Sequence, residues 1–230
     1  MLPFRNESTT LRAMKFGVIS LGMMGLMGWS GAALAQQTPK ARTGFQMDIR
    51  TGYSIPMGNA FKGRKLSDVS SGQVPIILDI GGKLIPELFV GGYFGLAFGG
   101  AGGKSSDQCE ASHASCATVG LSLGVEAQYH ILPNNSVNPW IGYGLGFQSL
   151  GMGAKVNGNT DTSSFSGFEF ARFMAGADFR LNRVFGVGPF VDLSMASYST
   201  YKDDGGDSTE IPETALHEWL TLGVRFVFFP

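Results

Sequence analysis

The stretch from Thr118 to Leu132, TVGLSLGVEAQYHIL, alternates between two kinds of side chain. Its apolar members are Val119, Leu121, Leu123, Val125, Ala127 and Tyr129. Its small or polar members are Gly120, Ser122, Gly124, Glu126, Gln128 and His130. This period of two predicts a β-strand with one apolar and one polar face. The strand is longer than a usual strand of a soluble sandwich, and it suits a bilayer, which takes roughly 9–11 tilted residues to cross.

The same alternation recurs along the chain, which gives eight predicted strands. They cover residues 45–56, 73–83, 88–99, 118–132, 139–150, 167–181, 185–197 and 216–229. The connections between them alternate long and short, and the long ones cover residues 57–72, 100–117, 151–166 and 198–214. Outer-membrane barrels sort their connections in this way, with short turns in the periplasm and long loops outside. The sequence therefore predicts an all-β fold, an eight-stranded antiparallel transmembrane β-barrel of up-and-down topology.

A soluble β-sandwich is the alternative architecture for eight strands. It has no reason to sort its loops by length, and its apolar faces would form one continuous patch in water. Closure into a barrel also pairs every strand edge, which removes the sites at which long apolar strands would aggregate. The pattern therefore favours the barrel.

Residues 1–35 are predicted to be a signal peptide. Arg5, Arg12 and Lys15 precede an apolar run over residues 16–34, and Ala33-Leu34-Ala35 is a small-residue cleavage signature. A transmembrane anchor is the alternative, but Gly and Ser interrupt the run. Met14-Lys15 also resembles a natural start, so Met14 is an alternative first residue. Residues 36–43 then form a periplasmic leader and residues 44–230 form the barrel.

The composition excludes some functional classes. Glycine accounts for 34 residues, aromatic residues for 12% and charged residues for only 15%, below the usual quarter. The net charge of −1 gives no reason to expect a nucleic-acid partner. We expect no cofactor and no metal site.

The eight alternating strands, the signal ending in Ala33-Leu34-Ala35 and the terminal Arg225-Phe226-Val227-Phe228-Phe229 resemble the small eight-stranded outer-membrane barrels of Gram-negative bacteria. This group includes the membrane domain of outer membrane protein A and the opacity-type adhesins. The resemblance implies secretion to the periplasm, insertion among the lipids of the outer membrane and recognition of the last strand by the barrel-assembly machinery. Pro230 displaces the terminal aromatic residue by one position.

The polar strand faces place eight charged residues inside the predicted barrel: Asp48, Arg50, Asp79, Glu126, Arg172, Asp178, Asp192 and Arg225. Eight strands leave an interior that side chains just fill, so these charges form either a mutually neutralising plug or a narrow polar conduit. The inward glycines favour the conduit because they add no side chain, although glycine also permits tight curvature. They are Gly91, Gly95, Gly120, Gly124, Gly142, Gly144 and Gly146. We also expect Asp48 on the first strand to pair with Arg225 on the last.

The second outer loop carries both cysteines of the chain, Cys109 and Cys116. Two close cysteines in an exposed loop of a secreted protein predict one disulfide. Metal binding by Cys109, His113 and Cys116 is the alternative, which the oxidising compartment disfavours. The loop also holds His113-Ala114-Ser115, the one His-x-Ser of the chain and the pair that lipid A deacylases use on a barrel strand. Because it lies in a loop between cysteines, we expect no enzymatic activity.

Aromatic residues near the strand ends are predicted to form interfacial girdles: Tyr53, Tyr129, Trp140, Tyr143, Trp219 and Phe228. The outer loops hold only Phe61, Phe165, Tyr198 and Tyr201, which is a weak basis for a saccharide platform. The predicted function is a structural or surface-interaction role, adhesin-like, in which the outer loops meet a surface ligand. The alternative is a narrow pore for small solutes.

Overall fold

The computed structural model describes residues 43–156, 159–203 and 206–229, so the predicted signal peptide lies outside the described residues. The strands are β1 (Gly44–Phe61), β2 (Arg64–Lys65), β3 (Ser70–Ile85), β4 (Leu88–Ala101), β5 (Ser115–His130), β6 (Val137–Val156), β7 (Asn159–Arg180), β8 (Phe185–Lys202), β9 (Ser208–Glu210) and β10 (Leu216–Phe228). A 3-10 turn spans Leu66–Asp68 and the helix α1 spans Gly103–Ala111. Within the described residues, no helix is long and apolar enough to span a membrane.

The eight long strands form a closed ring in the order β1, β3, β4, β5, β6, β7, β8 and β10. The ring closes where β10 pairs antiparallel with β1, from Met47 opposite Phe228 to Gly58 opposite His217. Short turns join alternate strands, and in the β7–β8 turn Asn182 Oδ1 accepts hydrogen bonds at 2.8 Å from the backbone N–H groups of Val184 and Phe185. The predicted eight-stranded antiparallel barrel is confirmed.

The two faces of the wall have opposite character. The side chains of Leu123, Phe94 and Phe173 are 45%, 44% and 51% exposed on the outer face, as part of a belt of exposed apolar residues. The polar and charged side chains of the same strands are buried inside the ring. This is the inverse of a water-soluble protein, and it matches the apolar belt of a barrel that spans a lipid bilayer.

The predicted outer loops contain more regular structure than the sequence indicated. β1 continues to Phe61, β6 and β7 extend across residues 151–156 and 159–166, and β8 continues to Lys202. The predicted loop at residues 100–117 contains α1 and the start of β5. Beyond the bilayer both faces of a hairpin meet water, so the alternation that marks a membrane strand disappears. Those loop predictions are therefore wrong in extent.

An irregularity in β7 changes which residues face inward. The register against β8 shifts between Glu169 and Ala171, where a β-bulge breaks the alternation. Phe168, Phe170 and Phe173 all face outward and are 45%, 39% and 51% exposed. The inward positions therefore change from odd to even residue numbers between Phe170 and Phe173. As a result Glu169 is fully buried in the lumen, and Ala171 is buried as well.

Candidate functional site: the filled lumen and the extracellular mouth

All eight charged residues predicted for the lumen are buried there, and three arginines hold the acidic groups. Arg50 forms a two-point contact with Asp79, at 2.6 Å from Nε and 2.7 Å from Nη2. The same guanidinium lies 3.1 Å from Glu126 and 2.9 Å from Asp192. Charge-assisted bonds of this kind are stronger and more directional than neutral ones, so Arg50 ties its own strand β1 to β3, β5 and β8 across the middle of the barrel.

Arg172 forms a second layer with Asp192 and Glu169. Its Nη1 lies 3.0 Å from Asp192 and its Nε lies 2.7 Å from Glu169. The guanidinium also lies 4.5 Å from the ring centre of Tyr93, whose hydroxyl donates a 2.7 Å hydrogen bond to Glu169. Sequence reasoning missed Glu169 because the bulge in β7 hides its inward position. The spacing of the outward phenylalanines, two residues and then three, is the signal that could have revealed it.

Arg225 forms the third layer, nearer the periplasmic end. Its Nη2 lies 2.6 Å from Asp48, as expected from the sequence, and its Nη1 lies 3.3 Å from Asp178. The amide oxygen of Gln128 accepts a 2.7 Å hydrogen bond from Nη2 of Arg225. The guanidinium lies 4.3 Å from the ring centre of Trp140, which is a cation–π contact.

The register explains why these ion pairs run diagonally. Arg50 stands directly opposite Arg225 on β10, and Asp48 stands directly opposite Asp79 on β3. Like charges in directly opposed positions repel, whereas diagonal neighbours remain within reach of long side chains. Arg225 therefore pairs with Asp48 and Arg50 with Asp79, each offset by two residues along the strand.

The three layers are not balanced in formal charge. Six carboxyl groups share three guanidinium groups, a formal excess of three negative charges. Every one of the six contacts at least one arginine, and the contributing acids are Asp48, Asp79, Glu126, Glu169, Asp178 and Asp192. The arrangement holds the acids in a low-dielectric interior, so removing an arginine leaves a buried charge without compensation.

The inward glycines do not leave an open passage. The hydroxyl of Tyr93 lies where a side chain at Gly124 or Gly146 would lie, and its ring passes near Gly144. Other side chains lie close to the remaining positions: Phe89 at Gly91, Ser122 at Gly95, Gln73 at Gly120 and Met174 at Gly142. Glycine is therefore used here to admit the ring of Tyr93 into the barrel.

A small chamber of about 60 Å³ remains above the Arg172 layer. Ser54, Gln73, Gln148, Ser194 and Thr221 supply polar groups to its wall. A polar chamber of this size can hold ordered water.

An apolar cap closes the barrel above that chamber. Leu66 and Val69, from the segment between β2 and β3, fold back into the mouth and are at most 2% exposed. They pack with Ala60, Leu150, Phe165, Tyr198 and Trp219. Tyr198 also stacks on His217, with ring centres 3.9 Å apart. The first outer loop therefore acts as a stopper at the extracellular end.

The aromatic predictions need two corrections. Trp140 and Trp219 are 1% and 7% exposed and lie inside the barrel, so their assignment to the girdles is wrong. Both stand on inward positions of their strands, which outweighs their nearness to the strand ends. Tyr53, Tyr129, Tyr143 and Phe228 do face outward.

The four loop aromatics, thought too few for a platform, converge at the mouth. The ring centre of Phe165 lies 5.9 Å from Phe61, 5.9 Å from Tyr198 and 5.2 Å from Tyr201. Such distances are typical of packed aromatic pairs. Sequence reasoning missed the cluster because its members come from three separate strands.

The second outer loop contains the predicted disulfide. Cys109 in α1 is bonded to Cys116 in β5, so the pair is not a metal site. His113 and Ser115 are exposed beside it. Within the described residues, no group of three or more His, Cys, Asp or Glu side chains is placed to hold a metal ion.

The closed ring, the apolar outer belt and the ion-paired interior together define a transmembrane β-barrel with a filled lumen. No protein-family model matches the chain, and no curated protein matches it either. It is similar to the solved structure of Ail, the attachment invasion locus protein of Yersinia pestis, in complex with the heparin analogue sucrose octasulfate. The identity is 15%, the match covers 80% of this chain and 99% of Ail, and the TM-score is 0.45.

Two further solved structures are similar in the same way. Neisserial surface protein A is 12% identical, with 80% of this chain and 95% of that chain covered and a TM-score of 0.42. The outer membrane protein OprG from Pseudomonas aeruginosa is 13% identical, with 83% and 99% covered and a TM-score of 0.44. All three are small outer-membrane barrels, the group that the sequence resembles. The fold of this chain is established by its own closed ring of strand pairs.

Proposed function

We propose that this protein is a closed barrel of the outer membrane that acts through its extracellular end, as a structural and surface-interaction protein. The observation that carries the proposal is the obstruction of the lumen. Three arginine layers cross it, centred on Arg225, Arg50 and Arg172, and the apolar cap with Leu66 lies above them. A solute would have to break several buried ion pairs to pass.

The extracellular end, by contrast, is extensive, and its described residues contain regular secondary structure. The extended β6–β7 hairpin, the disulfide-bonded loop with α1 and the short strand β9 all stand beyond the apolar belt. Rigid surface elements lose less conformational entropy on binding than mobile loops do. This end is therefore the part of the molecule suited to a surface ligand.

Location and route follow from the same proposal. We infer a signal peptide over residues 1–35, a periplasmic leader over residues 36–43 and a barrel from residue 44 onward. The proposed partners are the lipids around the apolar belt and the assembly machinery, which would engage β10. The proposal contains no catalytic step, no cofactor and no nucleic-acid partner.

A narrow cation-selective pore is the second candidate. The formal excess of three negative charges and the polar chamber beside Asp192 favour this candidate over an anion pore. Its path would have to avoid both the Tyr93 ring and the cap. The filled lumen makes it the weaker candidate.

Single-channel recording in planar bilayers separates the two functions. The wild-type protein is expected to insert without conductance steps, and a porin reconstituted in parallel verifies the assay. Tyr198→Ala, which opens the cap, should remain silent because the arginine layers lie beneath it. Cation-selective steps in the wild type that diminish in Asp192→Asn would overturn the closed-barrel proposal and establish the pore.

A further inference from the structure

Strand extensions form most of the extracellular mouth. They lie above the aromatic cluster of Phe61, Phe165, Tyr198 and Tyr201. On β7, Phe165 is followed toward the outside by the inward positions of Ser163 and Asp161. On β8, Tyr201 stands directly opposite Phe165, and Asp203 directly follows Lys202, the last residue of the strand. Ser163 and Asp161 on β7 and Tyr201 on β8 therefore lie on the inner side of the mouth, although the apolar–polar alternation of the membrane strands is lost there.

These inward positions enclose a bowl at the mouth. Its volume is about 310 Å³, and Met152, Ala154, Asp161, Thr162, Ser163, Tyr201 and Asp203 line it. Small-molecule sites commonly have volumes of about 300–1,000 Å³ and combine apolar walls with a few polar groups. The bowl has that size and composition, and it opens outward from the closed cap.

The aromatic wall of the bowl is held in place from below. The ring of Tyr201 lies 5.2 Å from that of Phe165, centre to centre, and Phe165 is only 9% exposed. Tyr201 itself is partly exposed. A supported and partly exposed ring can offer a face to a ligand without reorganising the cluster beneath it.

The charged groups of the bowl have one sign. Asp161 and Asp203 are exposed, and neither forms an ion pair with any other described residue. Lys202 lines a neighbouring cleft that shares Met152, Thr162, Ser163 and Asp203 with the bowl, but it does not line the bowl itself. No lysine or arginine lines the bowl.

We propose that this bowl binds an organic cation, a quaternary or protonated amine about the size of choline. An aromatic face within about 6 Å and nearby carboxylates are the features by which proteins recognise such groups. The two carboxylates would repel sulfated or phosphorylated ligands. The inference rests on the proposed surface role, since it assigns the chemical class of the ligand.

The test measures choline binding by nuclear magnetic resonance to the folded, full-length barrel. The micelles are of a polyoxyethylene detergent, which has neither choline nor sugar head groups. The neutral isostere 3,3-dimethylbutan-1-ol is the matched ligand control. Choline is expected to bind at least about tenfold more tightly than the isostere, since a tenfold ratio corresponds to about 1.4 kcal/mol.

Variants locate the site. Asp161→Asn with Asp203→Asn, and separately Tyr201→Leu, should each weaken choline binding by at least about tenfold, the scale of one lost cation–π or ionic contact. Asp107→Asn, an exposed acid on α1, is the matched control and should bind as the wild type does. Folding of each variant is verified by its gel mobility before heating.

Three outcomes would overturn the inference: no choline binding, equal binding of the isostere, or variants that bind as the wild type does. Binding of glucose or chitobiose that the Asp→Asn changes leave intact would instead identify a neutral saccharide site. The recordings in planar bilayers are independent of these results. A silent barrel that ignores choline rejects only the cation site, whereas a conducting barrel rejects the proposed function.

Discussion

Arg50 and Arg225 stand directly opposite each other in the strand pair that closes the barrel, and both guanidinium groups are fully buried. Opposed like charges destabilise a sheet unless other groups compensate them. Arg50 reaches Asp79 on one side of the seam, and Arg225 reaches Asp48 within it. Closure of the barrel therefore depends on these acids.

Arg225→Ala is expected to lower the free energy of unfolding by about 3–5 kcal/mol, because it leaves buried carboxylates without their partner. Adding Asp48→Ala should recover part of the loss, and only part, since Asp178 also contacts Arg225. Urea unfolding in lipid vesicles measures both. Lys62→Ala is the matched control: its ion pair with Glu213 is largely exposed, so the loss should be at most about 1 kcal/mol. Equal stability of Arg225→Ala and the wild type would indicate that water already solvates the lumen.

Gly146→Ala tests whether the lumen leaves room for a side chain at an inward glycine. A methyl group there would overlap the Leu123 carbonyl oxygen and the Tyr93 hydroxyl. Overpacking of this kind costs about 1–3 kcal/mol in unfolding free energy. Gly153→Ala is the control, because no atom lies within 4 Å of the added group, and its effect should stay within about 0.5 kcal/mol. If both variants unfold like the wild type, the lumen is looser than described.

Leu123→Arg tests the orientation of the wall. Leu123 is 45% exposed on the outer face, so a charge there would enter the bilayer. The expected loss in unfolding free energy in vesicles is about 2–4 kcal/mol near the midplane. Leu123→Ala removes the same apolar side chain without adding charge and should lose less. Indistinguishable losses for the two variants would contradict the lipid-facing assignment.

The Cys109–Cys116 bond should be detectable by mass spectrometry. The intact unreduced protein is expected to weigh two hydrogen atoms less than the reduced one. After reduction, trypsin should cut more readily at Lys104 in α1, because the bond constrains that loop. Cleavage at Lys155, in the β6–β7 hairpin, serves as the control and should not change. Two thiols that react with maleimide in the unfolded, unreduced protein would exclude the bond.

Much of the barrel could be predicted from local pattern. Strand alternation in the membrane places each side chain in lipid or in the lumen, so Leu123 and Asp48 have assigned faces without any tertiary information. Loop lengths then determine which strand ends lie on the same side. The closeness of Cys109 and Cys116 in sequence was also sufficient to predict their bond.

The tertiary structure decided everything that depends on register. Closure sets the shear between strands. The shear places Arg50 directly opposite Arg225, so that Arg225 reaches Asp48 diagonally. The β-bulge that turns Glu169 inward does not alter the amino-acid composition of β7, so composition gives no sign of it. The strand extensions beyond the membrane lose their alternation because water lies on both sides. The bowl around Tyr201 therefore exists only once strands distant in sequence have been brought together, whereas the membrane faces follow from each strand alone.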